Sequence, residues 1–77
     1  MNAESRKAYA GQMLSNPLFA VLMAEIEQAA IDRGVNAQWT DHETRAAAMA
    51  EARAVRTFRA NLEAMLRDTP KRNGAPA

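Results

Sequence analysis

The sequence predicts an all-α fold: an antiparallel helical hairpin, about 17–33 and 41–68, with a short N-terminal helix at about 3–14. Three observations predict it. Large apolar residues recur at spacings of three and four along two segments, the period of a helix face. Two helix starts are written out, at Asn16-Pro17 and at Thr40-Asp41-His42-Glu43. Gly34 and Thr69-Pro70 stand where helices end.

The 77 residues make one domain at most. Residues 1–15 read as an N-terminal helix or arm, 16–69 as the hairpin and 70–77 as a flexible tail. A chain of this length buries a modest core, so oligomerisation or docking on a partner is expected. The apolar content of 48% overstates that core, because much of it is alanine, which buries little area. There is no cysteine, which excludes disulfides and thiolate metal sites. The longest apolar run, Leu18 to Ala24, is far short of the roughly 20 residues a membrane span needs. The N-terminus has no apolar run after a basic start, so no signal peptide is expected and the chain reads as soluble.

Residues 3–14 carry a weak amphipathic pattern, with Tyr9 and Met13 four apart and Ala10 and Leu14 beside them. Gly11 weakens that helix by about 1 kcal/mol relative to alanine. The segment is either a third packing helix or an arm that orders on a partner. Asn16 then suits an N-cap and Pro17 the first helical position, where its missing N–H is not needed. The stripe that follows is Leu18/Phe19, Leu22/Met23, Ile26, Ala29/Ala30 and Arg33, with Gly34 as the residue that closes the helix.

Trp39 lies in the short connection. It either caps the open end of the hairpin core or stands exposed as a hot spot for a partner. Thr40 and Glu43 have capping-box spacing, with Asp41 adding negative charge in the first turn. The stripe of the second long helix is Ala48, Ala52, Val55, Phe58, Leu62 and Met65/Leu66. Small residues come first, so the helices should approach closest near Ala48 and Ala52. Phe58 and Leu62 should meet Phe19, Leu22 and Met23 at the far end. Glu51 falls near the apolar side. A buried unpaired carboxylate is costly, so it should sit at the hairpin edge or pair with Arg33.

Charge divides unevenly. Residues 1–44 sum to −3 and residues 45–77 to +4, two signs that can complement each other across a hairpin. Arg45, Arg56, Arg59 and Arg67 share one side of the second helix, with Arg53 further round. Glu63 lies four residues from both Arg59 and Arg67, so intrahelical pairs should absorb part of that charge. A solvated, salt-bridged face is one reading of these arginines; a nucleic-acid or acidic-protein contact is the other. His42, the single histidine, reads as a solvated surface residue. No nucleophile elbow, phosphate loop or metal-ligand spacing is present, so no enzyme and no cofactor are expected.

Asn16-Pro17-Leu18-Phe19, Glu25-Ile26-Glu27, Ile31-Asp32, Asp41-x-Glu43-x-Arg45, Arg56, Arg59, Asn61-Leu62-Glu63 and Leu66 together form a pattern over residues 14–66. On that pattern the chain resembles a group of small helical-hairpin proteins that tailed bacteriophages and prophages encode among head and DNA-packaging genes. It departs from the group at the joint, where Arg33-Gly34 follow Ile31-Asp32 and the tryptophan comes later, at Trp39. The resemblance implies a non-enzymatic virion or assembly protein that lays a helical face on a capsid, portal or tail component. It would then reside in the virion, or in the host cytoplasm during assembly, with homo-oligomers as an option. The alternative is a small nucleic-acid-binding or regulatory protein that uses the arginine face. The residues expected to meet a partner are Tyr9, Met13, Trp39, Arg53, Arg56, Arg59 and Arg67.

Overall fold

The computed structural model describes residues 1–67, which form three α-helices and no strand. The expected helix end at Thr69-Pro70 and the tail lie outside the described residues. α1 spans Ala3–Ser15, α2 Pro17–Asn36 and α3 His42–Arg67.

Each helix start has a side chain that satisfies a free backbone donor. Asn2 caps α1, its Oδ1 accepting from the Ser5 N–H at 2.7 Å. Asn16 is the whole joint between α1 and α2. Its extended backbone breaks the helix, and its Oδ1 accepts from the N–H groups of Leu18 (2.9 Å) and Phe19 (3.3 Å). Its own N–H still donates to the Met13 carbonyl of α1. One residue thus ends one helix and begins the next.

The start of α3 differs from the predicted Thr40–Glu43 box. Asp41 is the cap. Its Oδ1 accepts from the Thr44 N–H at 3.0 Å and its Oδ2 from the Thr44 hydroxyl at 2.7 Å. An aspartate closes both bonds with one carboxylate, where the predicted box needs two side chains. The Arg45 guanidinium reaches back to the Gln38 carbonyl at 2.8 Å and fastens the connection to the helix.

Gly34 does not close α2, which runs on to Asn36 through helical dihedrals; no described glycine has a positive φ. Gly34 is buried for a different reason. A Cβ placed there would stand 3.3 Å from the Ala48 Cβ and 2.8 Å from the Met49 Cε. The glycine is where α2 and α3 cross most closely. Further along, Arg33 pairs with Glu51, Glu27 with Arg56 and Arg59, and Phe19 with Phe58. Rising numbers on α2 match falling numbers on α3, so the two run antiparallel. The two phenyl rings meet edge to face with centroids 6.1 Å apart. Small residues meet near the joint and large ones at the far end, which is the predicted gradient.

α1 packs chiefly on α3, with Gly11 beside Leu66. It is the packing-helix alternative of the two. Ala10 is its one buried residue. The core of the whole is thin: Ala10, Ala30, Ala48 and Ala52 with Val55 and Leu62. The predicted inner stripe of α2 is only partly turned inward. Phe19, Met23 and Ala30 face the other helices, while Leu18, Leu22 and Ile26 are exposed. The apolar residues of α2 wrap too much of its circumference for one neighbouring helix to cover.

Candidate functional site

A groove of about 740 Å³ lies between α2 and α3. Phe19, Met23 and Ile31 of α2 and Leu66 of α3 supply its apolar lining, and Leu14 of α1 closes one end. Arg56, Arg59 and Glu63 form the α3 side. Mostly apolar, with a charged cluster of Glu27, Arg56, Arg59 and Glu63, it has the composition of a groove that receives an amphipathic segment.

Glu27 organises the charged cluster. It accepts from the Arg56 Nε and from the Arg59 Nη2, the latter at 3.1 Å. Its side chain is only 15% exposed. The hydrogen bond from Arg56, and then that from Arg59, hold its carboxyl below the ordinary 4.5, against the opposing pull of desolvation. The predicted intrahelical pairs of Glu63 with Arg59 and Arg67 do not form: among the described residues Glu63 joins no ion pair, because Arg59 turns across to Glu27. Glu27 is the group that sequence reasoning missed. Its signal was its place in the stripe, one turn from Met23 on the side that meets α3. The Arg33–Glu51 pair takes the predicted form, with both side chains about half exposed at the hairpin edge. All three ion pairs join the two halves of the chain; those of Glu27 with Arg56 and Arg59 follow the charge division, while Arg33–Glu51 pairs a cation of the acidic half with an anion of the basic half.

The seven expected partner residues do not gather into one patch. Arg56 and Arg59 border the groove and are held by Glu27. Arg53 is exposed on α3, and Arg67 lies in its last turn, where the helix dipole favours a cation. Neither joins an ion pair among the described residues. Tyr9 is exposed and Met13 half-buried on α1. Trp39 does not cap the core. It stands 80% exposed in the α2–α3 connection, with exposed Val35 nearby in sequence. At that end Gly34 and Ala48 are buried against each other, with Met49 beside them.

His42 is exposed, with its Nδ1 3.4 Å from Arg45 Nη1. Among the described residues no three acidic or histidine side chains converge to hold a metal ion, and no helix is long and apolar enough to cross a membrane. No protein-family model matches the chain, and no curated protein or solved structure matches it either.

Proposed function

We propose that the chain is a non-enzymatic virion or assembly protein of a tailed bacteriophage that binds a capsid, portal or tail component through its helical faces. The family part of this reading comes from the sequence resemblance. The observation that supports the binding part is the groove between α2 and α3, an apolar trough beside an Arg–Glu wall in a molecule whose own core is thin. A short helical segment with an apolar stripe and an acidic edge fits it. Its apolar residues would lie on Phe19, Met23 and Ile31, and its carboxylates would share Arg56 and Arg59 with Glu27. Trp39 adds an exposed aromatic anchor at the joint.

The nucleic-acid alternative draws on Arg53 and Arg67. The pairing of Arg56 and Arg59 with Glu27 weighs against it, since that carboxylate offsets part of their charge.

The test is capture of purified capsid, portal and tail proteins on immobilised chain, with Met23→Glu as the control that charges the groove. Binding of one component by the wild type and its loss in Met23→Glu is the expected result. A chain that binds none of them, yet shifts DNA at low salt, would transfer the reading to the alternative.

A further inference from the structure

Leu18, Leu22 and Ile26 advance by four residues, so they form one ridge along α2. They are 64%, 46% and 44% exposed, and Val21 on the ridge flank is 50% exposed. None of the four lines the α2–α3 groove. A helix apolar around this much of its surface belongs between neighbours; α3 packs along one side, α1 touches α2 more sparsely, and together they leave this ridge open.

We infer that this ridge is a two-fold interface with a second copy of the chain, α2 packing antiparallel on α2. The pattern is self-complementary. With the axis at Leu22, Leu18 of one copy meets Ile26 of the other, and Leu22 packs beside its own counterpart. Ridges spaced by four interdigitate in the commonest class of helix crossing.

Area and charge agree with that occupant. At these exposures the four side chains, with the half-exposed ring of Phe58 on the neighbouring α3, leave roughly 500 Å² of apolar surface open, in the upper part of the range for the largest patch on a monomer, a patch that is often functional. A standard interface buries about 800 Å² per partner and is about 65% apolar in homodimers, which is the same figure. The ridge carries little charge to repel a copy. Arg33 is paired with Glu51. Each Glu25 lies three residues from the axis, so the two stand roughly 9 Å apart along the helix direction, open to water. The surface used is separate from the groove, so the dimer stands or falls independently of the phage reading.

The absence of cysteine makes a direct test available. Leu22→Cys puts a single thiol at the axis, where two facing helices bring equivalent positions within disulfide reach. Under mild oxidation Leu22→Cys should convert mostly to covalent dimer, while Arg53→Cys on exposed α3 should stay mostly monomeric. In sedimentation, the wild type should be dimeric at micromolar concentration. Leu22→Glu should be monomeric with unchanged helical circular dichroism, because the site is on the surface. A wild type monomeric at every concentration overturns the inference, including the case in which a different protein covers the ridge. So does equal cross-linking of the two cysteine variants. If Leu22→Glu loses helicity, the cysteine pair decides alone.

Discussion

At the scale of single residues, two glycines show how position decides the effect of one methyl group. Both sit inside helices. A Cβ at Gly11 would meet Leu66 at 3.5 Å, an ordinary contact. Gly11→Ala should therefore stabilise by about 0.4–1 kcal/mol, by removing backbone freedom from the unfolded chain. At Gly34 there is no such room, and Gly34→Leu should destabilise by about 1–3 kcal/mol as α2 and α3 are forced apart. Thermal melting of the two variants checks both signs. Asp41 supplies a second residue-level prediction. The Thr44 hydroxyl and then its backbone N–H hold the Asp41 carboxyl below the ordinary 3.8, and Glu27 is likewise held below 4.5. A depressed native pKa stabilises in full above the unfolded value and is lost as pH falls through the native one. The melting temperature should hold steady above about pH 5 and drop below the ordinary carboxylate range. Asp41→Asn keeps a capping oxygen and should shrink that drop; Asp41→Ala should lower the melting temperature at neutral pH as well.

At the scale of elements, the helices themselves were legible because their caps and stripes are local. Asn16 needs only its own side chain and Pro17 to mark a boundary. The end of α2 was misplaced and the cap of α3 misassigned: a contact across the chain wins at the first, a competing local side chain at the second. Gly34 has the composition of a helix end, yet the close pass of Ala48 uses its missing side chain instead. Thr40 and Glu43 have the spacing of a box, but Asp41 reaches Thr44 with both oxygens. The inward face of α2 was harder still. Leu18, Leu22 and Ile26 obey the same period as Phe19, Met23 and Ala30, and nothing in the pattern says which row meets α3. The arginine wall was hidden for a related reason: i,i+4 spacing pointed to Glu63, and only the crossing of the helices brings Glu27 into reach. Packing at this scale is concentrated in few residues. Leu62→Ala should cost about 2–5 kcal/mol, a large share of the stability of so small a domain, and denaturant titration should show it as a lowered midpoint. Glu27→Ala should release Arg56 and Arg59. A gain in salt-sensitive DNA affinity over the wild type, read by mobility shift, is the expected sign that Glu27 offsets part of their charge in the native chain.

At the scale of the whole molecule, the apolar side chains outnumber what three helices can enclose. Among the described residues only Val55 and Leu62 of the larger ones are buried, while the α2 ridge, Trp39 and the groove lining remain open to contact. The surplus was foreshadowed by length alone, since a chain of this size has a small core. Which surfaces stay open was not, because that depends on how α1 and α3 share the sides of α2. On the proposed reading the surplus serves association: the groove and Trp39 meet a phage component, the ridge a second copy. Quantitative mass spectrometry of phage particles purified from cells that carry the encoding gene tests that reading most directly. The chain should be present in many copies per particle, or in assembly intermediates, and Met23→Glu should reduce its amount at equal expression. Absence of the wild-type chain from both particles and intermediates would contradict it.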